Sequence, residues 1–237
     1  MIPYLSEFIG TAMLVLLGDG VCCGQNLEGT NWKGAGSVHT IIGWGLAVGL
    51  PAMAFGAQSG AHFNPAVTLG MACIGNFEWS MVPGYIVCQM LGGFVGAIIL
   101  WLYYKPQFDA TTDPGTIKGC FCTAPHIKNT FFNFLSEFIA TFFLLFFILT
   151  IPASVGAAGA SAFVVDLIIM CVGYSLGATT GFSMNAARDF SPRLAHAILP
   201  IPNKGDSDFS YAWNAAITPI LGGICGAFVG QMVVGWL

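Results

Sequence analysis

The sequence predicts an all-α membrane protein in which six transmembrane helices and two re-entrant half-helices form an inverted repeat. Three observations lead there. Of 237 residues, 56% are hydrophobic and only 8% charged. Ordinary soluble domains carry about 25% charged residues, so most of this surface is fit for lipid rather than water. Six apolar stretches are long enough to cross roughly 30 Å of hydrocarbon as helices. Finally, a block near the start of the chain recurs about halfway along it.

The expected spans are Tyr4–Cys22, Val38–Ala57, Met81–Tyr104, Phe131–Ile151, Ala160–Ala178 and Tyr211–Trp236; the second, third and sixth hold no Asp, Glu, Lys or Arg. The 31 glycines and 14% aromatic residues suit close-packed membrane helices with rings at the interfaces. Met1 leads almost directly into the first apolar segment without a basic stretch, which favours a first span over a cleavable signal peptide. Both ends are short, so no attached soluble domain is expected. The net charge of −4 offers no basic patch for nucleic acid.

The repeat sets the topology. Leu5-Ser-Glu-Phe-Ile-Gly-Thr11 returns as Leu135-Ser-Glu-Phe-Ile-Ala-Thr141, and Ser59-Gly-Ala-His-Phe-Asn-Pro-Ala66 is answered by Thr180-Gly-Phe-Ser-Met-Asn-Ala-Ala187. One transmembrane domain is therefore expected, with repeats 1–104 and 131–237 joined by a polar loop, 105–130. Each repeat holds three spans, an odd number, so the second must lie inverted relative to the first. The inserts Pro65–Ile74 and Ala186–Leu194, at roughly 15 Å as helix, are too short to cross a bilayer. The irregular backbone beside them must be buried in protein or line a watery lumen. Two half-helices meeting near the midplane satisfy that requirement and imply a pore.

Asn64 and Asn185 read as N-caps of these inserts, with Pro65 at the first helical position of one and Ala186 at the other. Taken singly, each Asn is adequately explained as a cap. Paired across a repeat, they place two amide donors and two positive helix ends at one centre, which disfavours cations and suits a hydroxyl oxygen.

These residues resemble the aquaporin superfamily, and within it the glycerol-facilitator branch, over nearly the whole chain. The most specific blocks are Ser59–Thr68 and Thr180–Pro192; the second departs from the family's Asn-Pro-Ala by reading Asn-Ala-Ala. The resemblance implies a constriction at Trp44, Gly173, Phe182 and Arg188. There the two rings would meet a solute's carbon edge, Arg188 would donate to its hydroxyls, and Gly173 would leave room. It also implies pore-lining carbonyls at Gly60, Ala61, His62, Gly181, Phe182 and Ser183. Glu7 and Glu137 would brace the re-entrant loops, with proton relay as the rival role. His62 is expected to hold its loop. Asp189 has two readings, orienting Arg188 or capping loop backbone. Asp166 also has two: lining the vestibule, or sitting solvated in the first turn of its helix.

The implied function is that of a passive channel for glycerol and other small uncharged solutes, with some water, in a lipid bilayer. It needs no cofactor or metal, and a homotetramer in the plasma membrane with cytoplasmic termini is implied. That orientation places Lys33, Lys105, Lys118, Lys128, Arg188, Arg193 and Lys204 outside or in the lumen, against the positive-inside rule. Alternatives are a mainly water-conducting pore or a secondary transporter, although no titratable group stands beside the Asn pair. An enzyme is disfavoured, because the four histidines form no ligand spacing and no Gly-x-Ser-x-Gly occurs. Cys73, Cys88, Cys171 and Cys225 read as packing residues. Cys22, Cys23, Cys120 and Cys122 sit near segment ends, where packing competes with a metal or redox role.

Overall fold

In the computed structural model, residues 1–155 and 161–236 are described. The long helices are α1 (Ile2–Asn26), α2 (Ser37–Ser59), α4 (Val82–Tyr103), α7 (Thr130–Val155) and α10 (Phe209–Val234); each contains a stretch long and apolar enough to cross a membrane. α8 (Ser161–Leu176) takes the fifth span's place with 16 residues. The predicted start of that span at Ala160 lies outside the described residues. The half-helices are α3 (Pro65–Cys73) and α9 (Ala186–Ile198), the second running four residues beyond the expected Leu194 with Pro192 inside it. Between the halves, the expected loop contains two short helices, α5 (Lys105–Ala110) and α6 (Pro114–Gly119). Both begin with Pro in the first turn, where its missing N–H costs nothing.

The pattern of burial is that of a membrane protein. Leu5, Leu17, Leu46, Leu50, Leu91, Leu102, Leu221 and Phe228 are exposed, while Glu7, Asp19, Gln89, Glu137, Asn214 and Thr218 are buried. Water would favour the reverse; lipid accepts the apolar exterior, and helix association then rests on close packing and internal polar contacts.

That packing follows the repeat. α1 packs on α4 as α7 packs on α10, while each half-helix crosses over, α3 onto α10 and α9 onto α4. Leu91-Gly-Gly-Phe-Val-Gly-Ala97 and Leu221-Gly-Gly-Ile-Cys-Gly-Ala227 are the contact strips. A Cβ on Gly92 or Gly96 would strike the carbonyls of Phe8 or Ala12, and one on Gly222 or Gly226 those of Phe138 or Phe142. The neighbouring Gly93 and Gly223 give the same room to α9, at Ala187, and to α3, at Ala66. One Gly-Gly pair thus seats a spanning helix and a half-helix together, which brings both inserts to the middle of the bundle.

Two cysteine readings are corrected. Cys171 and Cys225 are exposed on the bundle's outer surface rather than packed inside it. The segment-end residues Cys22, Cys23, Cys120 and Cys122 are the buried ones.

Candidate pore and its constriction

The N-termini of α3 and α9 are tied to one another. Asn64 caps α3, its Oδ1 accepting from the Ala66 N–H at 2.9 Å. Asn185 caps α9 through Ala187 N–H at 2.9 Å and Arg188 N–H at 3.3 Å. The amide nitrogens reach across: Asn64 Nδ2 donates to the Met184 carbonyl and Asn185 Nδ2 to the Phe63 carbonyl, both at 2.8 Å. An amide nitrogen carries two hydrogens. One from each Asn is spent on this reciprocal brace, which leaves the other for a visitor in the lumen.

The loops before the two caps share an unusual backbone. Gly60, Ala61 and Phe63 have φ of 81°, 51° and 47°; Gly181, Phe182 and Met184 have φ of 87°, 42° and 49°. For the non-glycine residues this left-handed conformation costs about 1–3 kcal/mol each. Buried carboxylates hold it in place. Glu7 accepts from the Ser59 hydroxyl (2.7 Å), the N–H groups of His62 (3.0 Å) and Phe63 (2.7 Å), and the Gln89 amide (2.7 Å). Glu137 accepts from the N–H groups of Ser183 at 3.0 Å and Met184 at 3.1 Å. Hydrogen bonds to a charged acceptor are worth about 1.5–3 kcal/mol apiece, enough to offset the strain. With the N–H groups turned toward the glutamates, the carbonyls of Gly60, Ala61, His62, Gly181, Phe182 and Ser183 receive no donor from the described residues.

A cavity of about 740 Å³ runs past this junction. Its polar wall includes Gly60, Ala61, His62, Asn64, Asn76, Ser183, Asn185 and Arg188. The rest is mostly apolar, supplied by Leu14, Val48, Val67, Leu144, Ile148, Val165, Ile168 and Ile169 from α1, α2, α3, α7 and α8.

Trp44, Phe182 and Arg188 come together in this wall. The Arg188 guanidinium carbon lies 4.0 Å from the centre of the Trp44 ring. That ring rests where a side chain on Gly18 would otherwise be, and its Nε1 donates to Cys22 Sγ at 3.4 Å. Gly173 and Gly181 are not among the lining residues. Gly173 stands behind Phe182, where a Cβ would press on the Phe182 ring and on Ile41. Gly181 faces Thr123.

Other expected residues serve the frame. Asp189 Oδ2 accepts from the N–H (2.7 Å) and hydroxyl (2.6 Å) of Thr123, and its Oδ1 pairs with Arg193 Nη2 at 2.8 Å. Arg193, fully buried, also donates to the carbonyls of Thr123, Ser207 and Asp208. His62 Nδ1 lies 3.1 Å from the Thr68 hydroxyl. Asp166 fits neither of its two readings. It is 3% exposed, lies beyond the first turn of α8 and outside the cavity wall, and occupies the space that the missing side chain of Gly49 on α2 leaves open. Seven residues before Gly173 is nearly two helical turns, but the face of α8 that carries Asp166 meets α2, while Val165, Ile168 and Ile169 take the lumen side.

Sequence reasoning passes over Asp19, which is fully buried with Oδ1 3.6 Å from Arg188 Nη1. An acid inside an apolar span is itself the signal that can find it.

Residues 2–230 match the profile of the major intrinsic protein family. The chain belongs to the major intrinsic protein family. This member is 49% identical over 227 residues to the probable glycerol uptake facilitator protein of Thermotoga maritima, covering 96% of this chain and 97% of that one. It is 46% identical to the glycerol uptake facilitator protein of Bacillus subtilis, covering 95% and 82%. It is 40% identical to the D/L-lactic acid transporter of Lactiplantibacillus plantarum, covering 98% and 94%. Among solved structures, the aquaglyceroporin of Plasmodium falciparum superposes with a TM-score of 0.85 at 27% identity, covering 99% of this chain and 98% of that one. Family and apolar helices together make it an integral membrane protein.

Proposed function

We propose that this protein is a passive channel for glycerol and other small uncharged solutes, with some passage of water. The carrying observation is the two-sided wall of the cavity. A polyol has a carbon edge and a hydroxyl edge. Apolar side chains of the spanning helices receive the first, while the strip of unengaged carbonyls, the two Asn amides and Arg188 receives the second. A hydroxyl both donates and accepts, so it can trade its water shell for carbonyl acceptors and amide donors in turn. Cations meet two helix N-termini, and a water file meets donors at its centre that interrupt proton hopping.

Trp44, Phe182 and Arg188 form the selectivity constriction, and Gly173 sets its width from behind by giving the Phe182 ring space. Glu7, Glu137 and Asp189 are loop braces. The relatives named for glycerol uptake support the solute class. The assembly is a homotetramer with one pore per protomer, placed in the plasma membrane with cytoplasmic termini, and the protein carries out no catalysis.

Stopped-flow light scattering of proteoliposomes tests this reading. The wild-type protein should speed glycerol equilibration well beyond empty liposomes. Gly173→Val should push Phe182 into the lumen and cut glycerol flux about tenfold, while water flux falls less. Glycerol flux at the level of empty liposomes would remove the proposal.

A further inference from the structure

The two arginines of α9 are neutralised in different ways. Arg193 has a close partner, Asp189, and a full set of carbonyl acceptors. Arg188, which lines the cavity, has no hydrogen bond at Nη1, and the carboxylate near it is Asp19, on a different helix. Asp19 is completely buried and neither of its oxygens has a hydrogen-bond partner. It is not part of the cavity wall. A carboxylate with no donors is costly to bury, and nothing in the local packing requires one: Gly18 already makes room for the Trp44 ring, and Cys22 already accepts its N–H. What Asp19 adds at this place is a carboxyl group 3.6 Å from the Arg188 guanidinium.

Building on the pore reading above, we propose that Asp19 is the internal counter-charge of the constriction. Set behind Arg188 and away from the lumen, it leaves the guanidinium's donors in place for solute hydroxyls while cancelling its net charge. The two helix N-termini beyond already favour anions. An uncompensated arginine above them would make a cleft of one sign, which concentrates ions of the other. With Asp19 present, the narrow region is close to neutral, so uncharged hydroxylic solutes are favoured over small monocarboxylate anions. Asp19 is thus a specificity-determining residue that acts through Arg188 without touching the solute.

The full chain in proteoliposomes tests this, with valinomycin present so that swelling in potassium formate requires entry of the anion. The readout is the ratio of formate-driven to glycerol-driven swelling. Asp19→Asn should raise that ratio about tenfold or more, the lower end of what a single-sign cleft does to ion concentration. Asp19→Glu, which keeps the charge, should return it towards wild type. The double variant Asp19→Asn with Arg188→Met has no charge left to cancel and should not show the rise; it also serves if the single Asn variant is not recovered folded. An unmoved ratio in Asp19→Asn, equal ratios in the Asn and Glu variants, or a full rise in the double variant would each overturn the inference while wild-type glycerol flux stands. Absence of that wild-type flux would instead remove the pore reading on which the inference rests.

Discussion

The two re-entrant loops reach the same geometry with different supports. In the first half, Glu7 alone collects two backbone N–H groups, a hydroxyl and the Gln89 amide, and Pro65 opens a nine-residue half-helix with no charged side chain. In the second, Glu137 takes the Thr180 hydroxyl and the backbone N–H groups of Ser183 and Met184. A separate buried cluster, Asp189, Arg193 and Thr123, fastens the 13-residue half-helix to the segment that joins the halves. The first loop is held from inside the bundle, the second also from the connecting segment outside it. The difference shows that the inverted repeat keeps the backbone conformation and its central glutamate brace, while the supports added around that brace differ between the halves.

Four substitutions probe that contrast. The largest effect belongs to Arg193→Met, which strands the Asp189 carboxylate in a buried site. Breaking such a pair from one side costs about 3–5 kcal/mol, and the thermal melt of the purified protein should fall sharply. A melt like that of the wild type would mean that the connecting segment does not hold the second loop. Next come Glu7→Gln and Glu137→Gln. Each turns one acceptor into a donor facing donors, a loss of about 1.5–3 kcal/mol. Glu7→Gln should be the worse, because the Gln89 amide depends on it in addition to the hydroxyl and two backbone donors that each glutamate serves. Equal melting shifts would erase the asymmetry between the loops. The smallest effect is expected for Ala186→Pro, which copies Pro65 into the second half. Proline at the first helical position needs no N–H, and restricting the unfolded chain stabilises by about 0.4–1 kcal/mol. A small rise in melting midpoint with glycerol flux retained is expected, and a fall would show that the Ala186 N–H has a partner worth keeping.

Much of the site is legible in the sequence because the repeat doubles its signals. Glu7 and Glu137, or Asn64 and Asn185, are each ambiguous alone; in pairs they demand one explanation. Asp19 is missed for the same reason. The step that carries Glu7 to Glu137 carries Asp19 to Leu149, so no partner marks it. Asp166 is misjudged because its environment depends on Gly49, a residue more than a hundred positions away on another helix. The helices within 105–130 escape notice because six residues are too few for a periodic pattern to emerge.

By itself, the order of residues determined the bilayer as solvent, the count of spans, the inversion of the halves and the two capped inserts, since each depends on local hydrophobicity, length or repetition. Only the tertiary structure decided which carboxylate faces which cation, that Gly173 packs behind the Phe182 ring, and that each Asn amide spends one hydrogen on the opposite loop. Those facts depend on how distant helices seat against one another across glycine contacts, and contacts between distant segments leave no periodic trace along a chain.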